Sequence, residues 1–325
     1  MDTNSILLFL FILLIFVLMM IPKRRFKTHE VQLIGLLIIL LILFQIYRFY
    51  QKIEDFQNQQ PQRKEIYVGM TTIPHRLPYI HHSINSILNQ KNVEVTKLFV
   101  FLPNVMKRKD LPYDISQIQM DKIKDASKVN FVQGVEDEGP ITKFYPLLDQ
   151  IPKGKGHHLI LIDDDVIYPN TRLEDVQKAF EEDKKSAIGF SGRKYTLGKN
   201  GKYDLYFYDS KKIPKSESSL NVDLIETFDM TCFPRDIFPS TSKEFMNWFS
   251  TLPKDAFYVD DIVLSYYCHL HNISRKIFRS REGVKFYSQV EKDIPKEVLD
   301  EQLQNENLGP EGRNRKIFKQ LWGHH

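Results

Sequence analysis

Asp163, Asp164 and Asp165 follow directly on the apolar run His158-Leu159-Ile160-Leu161-Ile162. Three adjacent carboxylates repel one another, and without a cation or several hydrogen-bond donors at least one tends to stay protonated. Asp163 and Asp165 alternate along an extended chain, so their side chains project to the same side. Such a pair can hold a hard divalent ion, Mg²⁺ or Mn²⁺, and leave positions open for phosphate oxygens. The competing reading is a solvated acidic turn whose last aspartate caps a helix starting near Thr171. A second acidic pair, Asp260-Asp261, precedes an apolar helical stretch that runs to about Leu270. Carboxylates at a helix N-terminus are favoured by the dipole, so capping explains them, and a general base held on rigid backbone explains them as well. Lys143 closes the segment Glu136-Asp137-Glu138-Gly139-Pro140-Ile141-Thr142 and is expected in the first turn of a helix. A cation there opposes the dipole and is better placed if it meets a phosphate, although an exposed lysine on a helix surface gives the same pattern.

The run ending in the aspartates reads as a strand buried on both faces, as in a parallel sheet. Its acids then fall at the C-terminal sheet edge, where open α/β folds bind ligands. From Glu65 onward strand-like and helix-like segments alternate. Strands are expected at 66–70, 95–102, 128–132 and 187–191. Thr71-Thr72-Ile73-Pro74-His75-Arg76 is the loop after the first, and Leu77, Ile80, Ile84, Ile87 and Leu88 mark one face of the helix after it. Phe144, Leu147 and Leu148 mark a second helix, 172–183 a third and 243–252, with Trp248, a fourth. Asn200-Gly201 signals a hairpin whose second strand is 203–208. Residues 222–228 are strand-like, carry Glu226 with Asp229 just beyond, and are broken at Phe233-Pro234-Arg235-Asp236. The expected fold class is α/β, with a Rossmann-like, mostly parallel central sheet flanked by helices.

The 325 residues carry a net charge of +4, which gives no support for a nucleic-acid partner. Two apolar runs open the chain, and each is near the short end of what spans a bilayer. Met1-Asp2-Thr3-Asn4 is no basic leader and no small-residue cleavage site follows, so the runs read as a transmembrane hairpin over 1–50. Its helices are expected at about 5–22 and 31–48, with a lipid bilayer as partner and an interfacial hairpin as the alternative. The loop 23–30 holds Lys23, Arg24, Arg25 and Lys27 and is expected to face the cytoplasm. The remainder would then be lumenal, and such short spans suit a thin ER or Golgi membrane. Residues 51–64 form a polar stalk, 65–290 the folded domain and 291–325 a charged tail with helical pieces, whose Trp322 suggests docking on the domain. Cys232 and Cys268 either pair in an oxidising lumen or are two buried thiols. Asn272-Ile273-Ser274 is a glycosylation triplet usable in a lumen.

Five features in order resemble the GT-A fold glycosyltransferases of the Asp-X-Asp, family-2-like type. They are Thr71 to Arg76, Ser86-Ile87-Leu88-Asn89-Gln90, Asp137 to Lys143, Leu161 to Pro169, and Asp260-Asp261. The resemblance covers residues 65 to 290. It implies an enzyme that moves a sugar from a nucleotide-diphosphate donor to a hydroxyl of a glycan, glycoprotein or glycolipid. Asp163 and Asp165 would carry Mn²⁺ or Mg²⁺ on the diphosphate. Thr71, Pro74, Arg76, Lys143 and Asp164 would bind the nucleotide-sugar. Asp261, with Asp260 beside it, would deprotonate the acceptor, most simply in an inverting transfer. Many such enzymes add a late histidine to the metal site, and His269, His271 and His324 are the candidates here.

Two other readings use the same residues. Asp163-Asp164-Asp165-Val166 is also similar to the signature of haloacid-dehalogenase-like phosphotransferases, with Asp163 as nucleophile, Asp165 as acid–base and Asp260-Asp261 as metal ligands. That signature usually opens its domain, whereas about ninety residues of strand and helix precede it here. The third reading is a catalytically inactive, membrane-anchored sugar-binding protein.

Overall fold

The computed structural model describes residues 41–52, 65–197, 203–286 and 312–323, with Gly35, Ile38, Gln289 and Pro295. The chain divides into two compact units, Met1–Lys64 and Glu65–His325. In the first, residues 41–52 are helical, so the helix continues past the expected end at 48. Leu41, Leu43, Phe44, Tyr47 and Tyr50 are exposed along it. Among the described residues no helix is long and apolar enough to cross a membrane. The expected helix at 5–22, the basic loop 23–30 and most of the stalk lie outside the described residues, and the helix at 31–48 is described in part.

The second unit is built on an eight-stranded sheet. Its strands are β1 (Ile66–Thr71), β2 (Lys97–Pro103), β5 (Val129–Val135), β6 (His158–Leu161), β8 (Ala187–Gly189), β11 (Ser219–Asn221), β13 (Thr231–Pro234) and β14 (Arg275–Phe278). They lie in the order β11-β14-β8-β13-β6-β1-β2-β5. The pairs β5–β2, β2–β1, β1–β6 and β14–β8 are parallel, whereas β13 runs antiparallel to both β6 and β8, as β11 does to β14. The mostly parallel central sheet expected from sequence is therefore present. Small ribbons pair β3 (Val105–Met106) with β4 (Leu111–Pro112) and β7 (Val166–Ile167) with β15 (Lys285–Phe286). A three-stranded sheet joins β10 (Tyr203–Asp209), β9 (Ser191–Leu197) and β12 (Leu224–Ile225). The first two form the antiparallel pair that Asn200-Gly201 signals, in register from Leu197 with Tyr203.

Burial on both faces accounts for the apolar strands. Val68 and Met70 of β1, Leu98 and Val100 of β2, and Ile160 of β6 belong to one core cluster. Helices α1 (His81–Leu88) and α3 (Arg172–Glu182) complete it with Ile84, Ile87, Leu173, Val176 and Phe180. Phe99, Phe101, Leu159 and Leu161 join the other cluster. There they meet α2 (Leu147–Gln150), α4 (Ser242–Phe249) and α5 (Asp260–Leu270) through Leu147, Phe245 and Val263. Helix α6 (Arg313–Trp322) packs on this unit, with Ile317, Phe318 and Leu321 against Tyr195, Leu224, Val259 and Ile262. Trp322 docks on Tyr266 and His269, as expected.

Three local expectations change. The helix expected from Lys143 is a 3₁₀ turn, Ile141–Lys143, followed by the single turn α2, because Pro146 cannot continue a ladder from behind it. Residues 222–228 split into the short β12 and a 3₁₀ turn, Thr227–Asp229, and the chain re-enters the main sheet as β13. The helix carrying the second acidic pair is capped at Val259 without a side-chain bond, so Asp260 and Asp261 lie inside its first turn and do not cap it. Cys232 and Cys268 are buried thiols with no disulfide between them, and burial pushes Cys268 up to about 12.

Candidate active site

The aspartate turn leaves β6 beside the end of β1 and is held on three sides. The Ser83 hydroxyl of α1 lies 2.7 Å from the Asp164 carbonyl and 2.5 Å from that of Val166. The Asp163 N–H donates to the Tyr168 hydroxyl, which donates in turn to the Phe228 carbonyl, both at 2.9 Å. The turn is therefore tied to the Thr227–Asp229 turn across the cleft. Met230, which ends that turn, has φ of 67°, a left-handed conformation that side-chain-bearing residues seldom adopt.

The three aspartates have different surroundings. Asp164 is buried and accepts from the Thr72 hydroxyl at 2.5 Å and from Arg76 Nη1 at 2.7 Å. Arg76 Nη2 lies 3.0 Å from Asp165 Oδ2. Lys143 Nζ lies 2.5 Å from Asp163 Oδ1. The Asp163 and Asp165 side chains keep 29% and 22% exposure, so these two are the more accessible carboxylates. Burial raises Asp165 to about 6, with Asp164 and Asp163 adding to the rise and Arg76 opposing it.

Lys143 joins the two acidic groups. Its buried ammonium reaches Asp163 Oδ1, Asp260 Oδ2 at 2.8 Å and the Thr227 hydroxyl at 2.7 Å, which uses all three of its N–H donors. The expectation of an exposed or phosphate-facing lysine gives way to a bridge between carboxylates. Burial opposes its charge, but Asp163, Asp260 and Asp261 outweigh that and hold it protonated. Gly69 makes this position reachable, because a Cβ there would stand 2.3 Å from the Lys143 carbonyl oxygen. Asp261 accepts from the Thr227 N–H at 2.7 Å. Burial, then Asp260 and Glu226, raise the Asp261 carboxyl well above the ordinary range, against Lys143.

These groups line one cleft of about 530 Å³. Thr71, Arg76, Lys143, Asp163, Asp164, Asp165, Asp260 and Asp261 all border it. Pro74 does not; it is buried as the first residue of the 3₁₀ turn that carries Arg76. Thr71 donates to the Phe101 carbonyl at 2.9 Å. His269 and His271 pack against Trp322 and Tyr267 and are not among the cleft residues, and His324 lies outside the described residues.

The cleft also contains residues that the sequence did not single out for a role. Glu226 is buried and salt-bridged to Arg193, which lies near the Phe207 ring. Burial raises the Glu226 carboxyl, and Arg193 opposes the rise. Phe228, Phe257, Tyr258 and Phe286 add apolar walls, and Asn314 of α6 adds an amide. Gly139, at φ of 70°, allows the loop before Lys143 to meet the opposite wall, since a Cβ there would stand 2.1 Å from the Phe257 carbonyl oxygen. These contacts join segments far apart in sequence, and no local pattern announces them.

Seven acidic side chains border the cleft (Asp137, Asp163, Asp164, Asp165, Glu226, Asp260 and Asp261) against four basic ones (Arg76, Arg108, Lys143 and Arg193). Among the described residues no three His, Cys, Asp or Glu side chains converge as a ready-made metal cage. The accessible pair, Asp163 and Asp165, supplies oxygen ligands within an excess of negative charge. That donor set fits a hard divalent cation whose remaining ligands come from water or substrate.

No family model and no curated protein sequence matches the chain. Three crystal structures from S. aureus are similar to it. TarS 1-349 in complex with UDP is 15% identical with a TM-score of 0.42, over 68% of this chain and 59% of that one. A second structure of TarS 1-349 is 15% identical with a TM-score of 0.43 and the same coverage. A structure of TarS is 14% identical with a TM-score of 0.43, over 68% of this chain and 36% of that one. The chain thus spans less than two thirds of the structures it resembles. What it does is read from its own cleft.

Proposed function

We propose that the chain is a metal-dependent glycosyltransferase that moves a sugar from a nucleotide-diphosphate donor to an acceptor hydroxyl, most simply with inversion. One observation carries this reading: a single cleft joins an accessible carboxylate pair, Asp163 and Asp165, through Lys143 to a second acidic pair on a helix N-terminus. The first pair would hold Mn²⁺ or Mg²⁺, which neutralises charge on a departing nucleotide diphosphate. Asp164 fixes Arg76 and Thr72 behind that pair, so its part in nucleotide binding is to shape the wall. Thr71 and Arg76 stand at the C-terminal end of β1, where an open α/β sheet receives a nucleotide.

Asp261 is the proposed base. Its carboxyl accepts from the Thr227 N–H, and its raised proton affinity makes its ionised form the stronger base toward a hydroxyl. Asp260 is committed to Lys143 and keeps that ammonium between the two sites. The acceptor is a glycan, glycoprotein or glycolipid, and the opening apolar runs would tether the enzyme to a bilayer with its domain in the ER or Golgi lumen.

The test is a panel of nucleotide-sugars offered to the protein with Mn²⁺ and with chelator, read by thermal shift and slow donor hydrolysis. One donor should stabilise the protein only when metal is present, and D163A with D165A should abolish the effect. If no nucleotide-sugar acts with metal present, the reading fails. Trapping an aspartyl-phosphate analogue on Asp163 would instead establish the phosphotransferase.

A further inference from the structure

Asn314 is a polar residue of the cleft that the proposed chemistry leaves without a role. Ile317, Phe318 and Leu321 bury one face of α6 against α5 and its surroundings. Asn314, three residues before Ile317, lies on the same face one turn earlier. That turn is held against the cleft wall, with the Arg313 guanidinium 4.1 Å from the centre of the Tyr258 ring. Asn314 borders the cleft, as Tyr258, Val259, Asp260 and Asp261 do. It is 9% exposed, and its Oδ1 has no hydrogen-bond partner among the described residues.

An amide oxygen buried without a donor is unfavourable, and an apolar residue of similar size would fill the same space without that cost. Turning the amide over would put two donors in place of that acceptor, so the buried position stays polar either way. The position therefore has a polar demand that none of the described residues meets. An anion is the wrong partner for an amide oxygen, since both are acceptors, and carboxylates already crowd this end. A hydroxyl is the right one, because it donates to Oδ1 while its own oxygen can accept from Nδ2 of the same amide or from a neighbouring donor.

We propose that Asn314 forms a hydroxyl-binding subsite at the Asp260–Asp261 end of the cleft, where its amide reads a sugar hydroxyl. The assignment rests on the reading of the cleft as a glycosyltransferase site. The hydroxyl belongs either to the sugar being transferred or to the acceptor, and the two sources separate by experiment. In both cases the C-terminal helix is part of the recognition surface and not merely a brace behind it.

The experiment uses the full chain with Mn²⁺, comparing wild type, Asn314→Leu and Asn314→Asp. Titration calorimetry measures the affinity for nucleoside diphosphates alone and for the panel of nucleotide-sugars, and transfer to simple methyl glycosides measures acceptor KM. Nucleoside diphosphate affinity should be the same in all three proteins. One hydrogen bond to a neutral hydroxyl is then lost in Asn314→Leu, a change of about three- to tenfold. It should appear in the nucleotide-sugar affinity if the transferred sugar is read, or in the acceptor KM at unchanged donor affinity if the acceptor is read. The unliganded Asn314→Leu protein should melt at or above the wild-type temperature, because its buried polar demand is gone.

Unchanged donor affinity and acceptor KM in both variants would overturn the subsite and leave the transferase reading intact. A lower melting temperature with no change in binding would assign Asn314 a structural role and overturn it too. Loss of nucleoside diphosphate affinity in both variants would place the residue at the wrong end of the cleft. A wild-type protein that binds no nucleotide-sugar with metal present would overturn the transferase reading, and the subsite with it.

Discussion

Lys143 decides how the two acidic groups coexist. A buried ammonium with three satisfied donors is stable only while its partners stay charged around it. Replacing it by methionine leaves Asp163 and Asp260 facing one another without a cation. The expected cost is about 3 kcal/mol, at the low end for a broken buried pair because Asp163 is part-exposed. Urea denaturation of K143M checks it; a loss below about 1 kcal/mol would mean that solvent already screens the pair. Asp163 and Asp165 were legible in sequence because charge ends an apolar run. Lys143 as a bridge was not, since its partners stand 20 and 117 residues away. A plainer residue-scale test concerns Asp183, far from the cleft. Burial raises its carboxyl, but the Lys276 ammonium at 2.6 Å and the Ser186 hydroxyl outweigh that and bring it down to about 2. A carboxyl depressed from an unfolded value near 4 binds fewer protons in the folded state, so its stabilisation is full above pH about 4 and is lost as pH falls to about 2. The stability difference between wild type and D183N should vanish over that window, and a difference that stays constant across it would remove the pair from the account.

At the scale of elements, the site depends on how closely β1 approaches the turn that carries Lys143. Gly69 is fully inside that contact, with Leu147 Cδ1 at 2.5 Å and the Lys143 carbonyl at 2.3 Å from where a Cβ would stand. Gly69→Ala should therefore push the turn away, at about 1–3 kcal/mol for overpacking. Because the displaced turn carries Lys143, metal-dependent donor binding should weaken as well, whereas a purely steric effect confined to stability would leave binding at the wild-type level. The elements themselves were unevenly legible. β1, β2, β6, α1, α3 and α5 follow from unbroken apolar runs or helical spacing. β13 did not, although it sits at the centre of the sheet between β6 and β8. Its four residues, Thr231-Cys232-Phe233-Pro234, are too few for a period and end in a proline. The proline is tolerated because it closes the strand, and the left-handed Met230 before it turns the chain out of the Thr227–Asp229 turn. Glu226 and Arg193 meet in the cleft through that same irregular stretch, so neither could be assigned a role before the turn was seen.

At the scale of the molecule, the cleft is closed by chain that lies beyond the sheet. Thr71 opens it and Asn314 ends it, so a side chain 243 positions away from the first wall belongs to the same surface. Trp322 hinted that the tail docks, but nothing in the sequence said that docking brings a polar side chain to the acidic pair. The link between them is the small cluster of Tyr195, Leu224, Val259, Ile262, Ile317, Phe318 and Leu321. Phe318 is its centre, 3% exposed and stacked on Tyr195 with ring centres 3.5 Å apart. Phe318→Ala would leave a cavity that α6 can escape only by shifting on α5. The expected loss is about 3–5 kcal/mol if the helix stays in place. It is smaller if the helix lifts off, because the rest of the unit then survives without it. These outcomes differ in function as well as in stability. A helix that stays keeps Asn314 at the wall, so the binding that Asn314 supports should persist at temperatures below the lowered melting point. A helix that lifts removes Asn314 and should reproduce the three- to tenfold loss of Asn314→Leu, with nucleoside diphosphate affinity intact. Measuring melting temperature, nucleotide-sugar affinity and acceptor KM on F318A and on the double variant F318A/N314L separates the two. If F318A is weakened and the double variant is no weaker still, the helix has already left. If both variants match wild type in nucleotide-sugar affinity and in acceptor KM, the C-terminal helix is not part of the recognition surface.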